Sequence, residues 1–226
     1  MKKNILYLFI AIIAFGSCEK NDNPKPNPPA EDTYINANAG STWNYQETNS
    51  SSGTPQNSEY TLTSSSKDTT INSRSYHVYN YSYGGSQYLA ISGHEYYDYD
   101  SIPGGLGQVF DRLYLKDNVA VGEKWSQNIS VTIPGPLPVS IPVTITNTIA
   151  EKGIAKTVNG NNYTDVIHVS TSITSTAIPT GLTSDIHSYY AKKYGLIESS
   201  AIVSLNFLGM VQNINVSTKL NSATLK

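Results

Sequence analysis

The densest set of side chains that could carry chemistry lies between His94 and Asp100, in the sequence His-Glu-Tyr-Tyr-Asp-Tyr-Asp. In a β-strand, side chains two residues apart lie on the same face, so His94, Asp98 and Asp100 would share one side. An imidazole and two carboxylates could serve a divalent metal ion as ligands. The same alternation is typical of a solvated strand face with tyrosines packed behind it, and we favour this second interpretation.

Known catalytic and metal-binding motifs are matched only in part. The segment begins with His-Glu, like the zinc motif His-Glu-x-x-His, but Asp98 stands where the second histidine belongs, and that motif requires a helix. The other histidines, His77, His168 and His187, lie in strand-like segments without an adjacent acid and serine at a catalytic spacing. The sequence contains no Gly-x-Ser-x-Gly or Walker-type loop. We therefore predict a protein that is not an enzyme and that uses no metal or other cofactor.

Cys18 is the only cysteine of the chain. It follows Lys2 and Lys3, an apolar stretch of about a dozen residues and a few small residues, which is the pattern of a secretory signal peptide. The apolar stretch is too short to span a bilayer, which takes about 20 residues. A lone cysteine in a secreted protein could also be a free thiol or form an intermolecular disulfide, but a thiol directly after a cleavage site fits these uses poorly. We predict that residues 1–17 are a signal peptide.

The sequence Phe-Gly-Ser-Cys that ends at Cys18 resembles the lipobox of bacterial lipoproteins, whose cysteine is acylated and becomes the new N-terminus. The resemblance implies acylation of Cys18 with palmitate-type chains and attachment to the bacterial outer membrane, facing the periplasm or the cell surface. Each acyl methylene that enters the membrane contributes about 0.8 kcal/mol. Two or three chains would therefore hold the protein in place, and the anchor rather than the protein surface would bind the membrane.

Residues 18–32 form the predicted lipidated tether. After the cysteine this segment contains four prolines, mixed charges and no large apolar side chain, so it cannot bury a core. Proline-rich chain extends by about 3.1 Å per residue, so the 14 residues after the cysteine could reach roughly 40 Å. Residues 33–226 would then form a single all-β domain.

The composition excludes one class of partner and favours one fold class. The 226 residues carry a formal net charge of −2, which provides no basic field for phosphate backbones, so we expect no nucleic acid partner. The 17 tyrosines, the low charged fraction of 14% and the many Ser, Thr and Val residues suit a pleated, half-buried surface. No long stretch has a helical period. The sequence predicts an all-β fold, mostly an antiparallel meander that forms a curved sheet, half-barrel or sandwich.

The second half of the chain is predicted to form successive hairpins, with strands near 109–116, 124–132, 140–151, 162–176, 183–191, 196–206 and 211–221. Connections made of polar residues alternate along this half with connections that contain large apolar residues, which we call apolar tips. Every second connection of a meander lies at the same end of the sheet. The apolar tips should therefore gather at one end. Their main residues are Ile102, Leu106, Ile133, Leu137, Ile178, Leu182, Phe207 and Met210.

Two interpretations of these tips remain open. Loops are normally polar because their backbone must meet water, so clustered apolar tips could form the rim of a ligand site or a contact face for a partner or lipid. The tips could instead fold inward and close the open end of the sheet. We predict that the protein binds an apolar or amphipathic ligand at this end. The alternative function is a structural or adhesive surface protein that contacts another protein, and a hydrolase comes third.

Three further motifs carry a resemblance to a family. They are Gly-Ser-Thr-Trp-Asn-Tyr at 40–45, Val-Gly-Glu-Lys-Trp at 121–125 and Tyr-Tyr-Ala-Lys-Lys-Tyr-Gly-Leu-Ile-Glu at 189–198. Together with the lipobox, they resemble a large group of uncharacterised β-rich lipoproteins of the Bacteroidetes type. The resemblance implies an all-β sheet, curved like the half-barrels of lipoprotein carriers, and supplies no catalytic residue. Trp43 and Trp125 are most simply core anchors, because an indole buries a large area.

The lipobox leads to a prediction about anchoring. Cys18→Ala should abolish acylation, because the thiol is the group that accepts the lipid, and it should leave the protein uncleaved or released with its folded domain unaltered. Metabolic labelling with a fatty acid checks this, and a matched Ser17→Ala variant, which keeps the thiol, should still be labelled. An unlabelled wild-type protein would contradict lipidation.

Overall fold

The computed structural model describes residues 33–102, 106–133, 139–207 and 209–226. These residues form one sheet of twelve antiparallel strands, and they contain no helix. The predicted all-β fold class is confirmed. The strands are β1 (Thr42–Asn49), β2 (Gln56–Ile71), β3 (Arg74–Tyr81), β4 (Ser86–Ser92), β5 (Glu95–Ile102), β6 (Leu106–Lys116), β7 (Lys124–Ile133), β8 (Val139–Val158), β9 (Asn161–Thr174), β10 (Leu182–Ala191), β11 (Gly195–Phe207) and β12 (Met210–Thr224).

The strand order across the sheet is β6-β5-β4-β3-β2-β1-β12-β11-β10-β9-β8-β7. The chain starts in the centre, runs by successive hairpins to the edge strand β6, and crosses to the opposite edge strand β7. It then returns by hairpins to β12, which pairs with β1 along the whole length of β1. The sheet curls until its two edges approach each other, so the fold is a nearly closed barrel.

Local sequence explains the burial pattern of β8 and the turn that follows it. In β8, Ile141, Val143 and Ile145 are buried, while Thr144 and Thr146 are half-buried on the other face, as the period-two alternation predicts. Asn159-Gly160 has positive φ at both positions, 45° and 82°, which a two-residue type I′ hairpin turn requires.

The main error in strand length concerns β8, which was predicted to end near residue 151 and instead continues to Val158. The pairing of β8 with β9 shifts its register at three places, between Ile149 and Glu151, Lys152 and Ile154, and Ile154 and Lys156. Each shift breaks the alternation of buried and exposed side chains. The sequence pattern therefore loses its strand period although the backbone stays extended.

Side chains close the barrel where β6 and β7 meet. Gln127 Oε1 accepts the Leu113 backbone N–H at 2.8 Å, and Gln127 Nε2 donates to the Asp111 carbonyl at 2.9 Å. Trp125 Nε1 and Asn147 Nδ2 both donate to the Leu113 carbonyl, at 2.8 and 3.1 Å. These bonds occupy edge groups that would otherwise lack a partner. Trp125, predicted as a core anchor, is half-buried and acts as a donor in this β6–β7 seam.

Two groups of buried apolar side chains fill the interior. The aliphatic cluster consists of Val131, Ile141, Val143, Ile145, Ile173, Ile178, Ile186, Ala201, Val203, Leu205 and Ile214. The second cluster is rich in aromatic residues and includes Tyr34, Trp43, Tyr45, Tyr79, Tyr96, Tyr114, Tyr163 and Tyr190. The interior is therefore chemically uneven, and its aromatic part contains the candidate site.

Several predicted features lie outside the described residues. These are the signal peptide at 1–17, the tether at 18–32 and the lipidated Cys18, all of which stay predictions. Across the four described ranges, no helix has the length and apolar character needed to cross a membrane.

Removal of the Gln127 side chain should weaken the seam. Gln127→Ala deletes the partner of one backbone N–H and one backbone carbonyl, so we expect the free energy of unfolding to fall by about 1–3 kcal/mol. Denaturant unfolding measures the loss, and hydrogen exchange at the Leu113 amide should become faster. Ser126→Ala on the same strand removes only an exposed hydroxyl contact with Thr146 and should stay within about 0.5 kcal/mol. Equal losses in the two variants would contradict this role of Gln127.

Candidate functional site

The barrel contains a cavity of about 190 Å³. Sites for drug-sized ligands measure about 300–1,000 Å³, while an engineered apolar cavity of about 150 Å³ is large enough for benzene. This cavity therefore suits a small molecule. Tyrosine is the most frequent residue in its wall, which contains Tyr34, Tyr45, Tyr60, Tyr79, Tyr81, Tyr114, Tyr190 and Tyr194.

Residues that precede β1 form part of the cavity wall. Tyr34 is 2% exposed, its N–H donates to Tyr96 Oη at 3.3 Å, and its hydroxyl donates to the Asp165 carbonyl at 3.1 Å. Tyr79 Oη donates to the Asn36 carbonyl at 2.8 Å. This segment therefore connects β5, β9 and β3 across the interior, and the composition of the segment alone did not indicate that role.

A row of tyrosine rings connects the cavity with solvent. Tyr83, which is 71% exposed, stacks on Tyr81 with ring centroids 5.0 Å apart. Tyr60 meets Tyr81 edge-on at 5.7 Å and stacks on Tyr45 at 5.3 Å. Tyr45 is buried and lines the cavity. We call these four residues the tyrosine ladder.

Asp98 of β5 and Arg112 of β6 form a buried ion pair in the cavity wall. Arg112 Nε donates to Asp98 Oδ1 at 2.8 Å, and Arg112 Nη2 donates to Asp98 Oδ2. Burial raises the pKa of Asp98, and Arg112 counteracts part of that shift. Burial opposes the charge on Arg112, but Asp98 outweighs this effect and raises the pKa of the guanidinium. Because the two charges compensate each other, the pair adds a fixed dipole to the wall but no net charge.

Three of the tyrosine hydroxyls in the wall donate to backbone carbonyls. Tyr45 Oη donates to the Leu196 carbonyl at 2.8 Å, in the same way as the hydroxyls of Tyr34 and Tyr79. Burial raises the pKa of Tyr45 well above its usual value and raises the pKa of Tyr190 to about 12. These phenols therefore stay neutral at physiological pH, and their rings are held in fixed positions around the cavity.

Trp43 lies in the same wall and is 3% exposed, in agreement with its predicted role as a core anchor. Its indole N–H is the one fully buried side-chain donor in the described part of the chain that has no hydrogen-bond partner. The ring meets Tyr79 edge-on, with centroids 5.8 Å apart. The aromatic contact therefore stabilises a position whose polar atom lacks an acceptor.

The structure separates the side chains that the sequence placed on one potential metal-binding face. Asp98 binds Arg112 in the interior, whereas His94 lies in the turn before β5, with its Nδ1 2.7 Å from Asp117 Oδ1. Asp100 accepts the backbone N–H of the next residue at 2.6 Å. Over the described ranges, no group of three His, Cys, Asp or Glu side chains could hold a metal ion. The favoured interpretation as a solvated face was wrong for Asp98, because an arginine from the next strand allows its carboxylate to be buried.

Four of the eight predicted tip residues have described side chains. Ile178 is 4% exposed, and Leu182, Phe207 and Met210 are half-buried. All four belong to or pack against the aliphatic cluster. This arrangement corresponds to tips that fold inward, and the expected exposed rim is not seen at these four positions.

The other four tip residues are placed only by their backbone or not at all. Ile102 ends β5 and Leu106 begins β6, while Ile133 ends β7. Leu137 lies outside the described residues. Successive strands run in opposite directions, so every second connection lies at the same end of the sheet. This end contains the strand ends just named and those at Leu182, Phe207 and Met210. A ligand-binding role for the eight tips stays a prediction, and the interior cavity is the site with described geometry.

Comparisons with known proteins give two similar solved structures. No family model matches the chain, and no curated protein matches it. One solved structure, described as a lipoprotein from Parabacteroides distasonis ATCC 8503, has 12% identity and a TM-score of 0.47, over 84% of this chain and 98% of that one. Another, described as an exported protein with a YmcC-like fold from Bacteroides fragilis NCTC 9343, has 9% identity and a TM-score of 0.46, over 84% and 98%. Likeness at this level carries no functional argument.

The buried ion pair allows a test of the cavity wall. Arg112→Met should lower the free energy of unfolding by about 3–5 kcal/mol, because it leaves the Asp98 carboxylate buried without a counter-charge. The double variant Asp98→Leu with Arg112→Met should recover most of this loss, since apolar replacements for both partners are often neutral. Denaturant unfolding measures both effects.

The control for this test is Lys192→Met, which removes an ion pair with Asp165 whose side chains are 44% and 45% exposed. Exposed pairs contribute at most about 1 kcal/mol. If Arg112→Met costs no more than this control, the Asp98–Arg112 pair does not support the wall.

Proposed function

We propose that this chain is an outer-membrane lipoprotein that binds a small, uncharged amphipathic molecule in its interior cavity and does not transform it. The observation that carries the proposal is the cavity of about 190 Å³, whose wall contains eight tyrosines. Tyrosine combines a large apolar ring with a polar tip. Such a wall favours a ligand that has an apolar ring or chain and a few polar atoms.

The charge of the wall supports an uncharged ligand. Asp98 and Arg112 neutralise each other, so an ionic ligand would have to compete with a bidentate pair. The polar side chains that remain among the lining residues are Asn36, Gln87, Ser188, Ser199 and Ser200. A mostly apolar lining with a few hydrogen-bonding groups is typical of small-molecule sites.

The tyrosine ladder supports an entry route. It leads from the exposed Tyr83 through Tyr81 and Tyr60 to Tyr45 in the cavity wall. Rings that stack on one another can also stack on a passing ligand ring. We infer that a ligand makes its first contacts with Tyr83 and then moves inward along the ladder.

The anchoring part of the proposal depends on Cys18 and residues 18–32. Acylation would fix the chain to the outer membrane, and a proline-rich tether of roughly 40 Å would let the barrel sample solvent away from the lipid surface. A binding protein in this position would encounter small molecules of the cell envelope.

A second candidate function is contact with another protein. It is favoured by large apolar side chains that are exposed in or near the connections and strand ends on the tip-bearing side of the sheet. These side chains are Tyr83, Val109, Val139 and Val211. Replacing Val109 and Val211 by Ser should abolish such a contact and leave small-molecule binding intact.

Binding in the cavity can be tested with p-cresol, a single ring with one hydroxyl, by calorimetric titration of the full chain. Ala201 is 9% exposed and lines the cavity, so Ala201→Leu should fill part of the space and weaken p-cresol binding at least about tenfold, or about 1.4 kcal/mol. Ala155→Leu is the matched control, because Ala155 is exposed on β8, and it should bind like the wild type.

The outcomes distinguish binding in the cavity from binding at the surface. Binding that is lost only in Ala201→Leu supports the cavity site. Binding that survives in Ala201→Leu but disappears in Tyr83→Ala places the probe on the surface and removes the cavity proposal. No heat of binding with p-cresol or with uncharged aliphatic alcohols of similar size would contradict small-molecule binding.

A further inference from the structure

Four ionisable side chains on the outer face of the sheet form a continuous hydrogen-bonded chain across β8, β9 and β10. Glu151 Oε2 lies 2.9 Å from His168 Nδ1, and His168 Nε2 lies 2.9 Å from His187 Nδ1. His187 Nε2 lies 2.9 Å from Asp185 Oδ1. We call these four residues the imidazole chain.

The imidazole chain lies behind the cavity wall. On β10, Ile186, Ser188 and Tyr190 line the cavity, so the alternating residues Asp185 and His187 point to the opposite face. This chain is independent of the proposed ligand site, because none of its four side chains lines the cavity.

The number of protons on the two imidazoles follows from the contacts. Glu151 and Asp185 accept hydrogen bonds as carboxylates, so His168 Nδ1 and His187 Nε2 must each carry a proton. The contact between His168 Nε2 and His187 Nδ1 needs one further proton between two nitrogens. Two protons in total would leave two lone pairs facing each other, and four would place two N–H groups against each other.

We propose that His168 and His187 form a proton-binding site that holds one shared proton in the native protein at neutral pH. The two rings together then carry three protons and one positive charge. All three contacts of the imidazole chain are satisfied only in this state. A gain or a loss of one proton breaks the central bond or one of the carboxylate bonds.

The surroundings decide which ring carries the charge. The side chain of His168 is 10% exposed and that of His187 is 33% exposed, so the charge is better solvated on His187. Burial lowers the pKa of His168; His187 and the Lys156 ammonium act in the same direction, and Glu151 opposes them. We assign His168 as neutral, with its proton on Nδ1, and His187 as the imidazolium.

The remaining groups around the two rings fit this assignment. Tyr189 of β10 stacks on the His168 ring with centroids 4.2 Å apart. Lys156 Nζ of β8 lies over the Tyr189 ring, 3.6 Å from its centroid. The same ammonium pairs with Glu198 of β11 at 3.0 Å. The positive charge of Lys156 is thus balanced by Glu198, while the charge of His187 is balanced by Asp185.

Acid should therefore open the imidazole chain. Free histidine titrates near pH 6.5, and the lowered pKa of His168 means that the unfolded chain binds a proton there before the folded protein does. Stability must then fall as the pH decreases from about 6.5 through the lower pKa of the folded state. Once His168 is protonated, its Nε2–H faces the Nδ1–H of His187.

The direct test is nitrogen NMR of the imidazoles in the full chain labelled with ¹⁵N. Near pH 7 we expect a protonated Nδ1 and an unprotonated Nε2 on His168, and two protonated nitrogens on His187. The chain has four histidines, and signals are assigned by the loss of one set in His94→Ala and of another in His77→Ala. A proton on His168 Nε2, or a neutral His187 near pH 7, would overturn the proposal.

The second test is the pH dependence of thermal unfolding. Between about pH 6.5 and pH 8.5, the Tm of the wild type should fall by at least about 2 °C more than that of His187→Ala, because the unfolded wild-type chain releases a proton that its native state retains as the shared proton. His94→Ala is the matched control, because it also removes a histidine that contacts an aspartate, at 2.7 Å, and it should keep the wild-type pH dependence. Equal pH dependence in the wild type and His187→Ala would overturn the proposal, and the NMR test decides the case if His187→Ala fails to fold.

Discussion

Closure of the sheet between β6 and β7 is the constraint on which the rest of the structure depends. A twelve-stranded sheet buries its apolar face only if it curls, and curling brings two unpaired edges together. Here Gln127, Trp125 and Asn147 reach from β7 and β8 to backbone groups of β6. Without these bonds, Arg112 and Tyr114 of β6 would lie at an open edge, and the cavity would lose one side.

Hydrogen bonds hold part of the tyrosine wall away from the cavity. The hydroxyls of Tyr34, Tyr45 and Tyr79 donate to backbone carbonyls of other segments, those of Asp165, Leu196 and Asn36. A ring held at both its Cα and its hydroxyl has little freedom to move inward. The aliphatic cluster has no such restraints, and branched side chains such as Ile145 and Val203 pack there to near-complete burial.

Strand β10 shows how one alternating segment can carry two unrelated properties. Its residues at 186, 188 and 190 line the cavity. On the outer face, Asp185 and His187 contact each other, and Tyr189 stacks on His168. The pleat makes this separation automatic, because successive side chains point to opposite faces. The proposed ligand site and the proposed proton site therefore share a backbone but no side chain.

The sequence by itself determined the fold class, the meander of the second half and the hairpin at Asn159-Gly160, because these depend on alternation and turn chemistry within a few residues. It also indicated Trp43 as a core residue. Only the tertiary structure decided that Asp98 meets Arg112, that His168 meets His187, and that residues before β1 cross the interior. Such pairs depend on strand register and on closure of the sheet, and a two-residue period leaves both undetermined because every even shift preserves the same buried face.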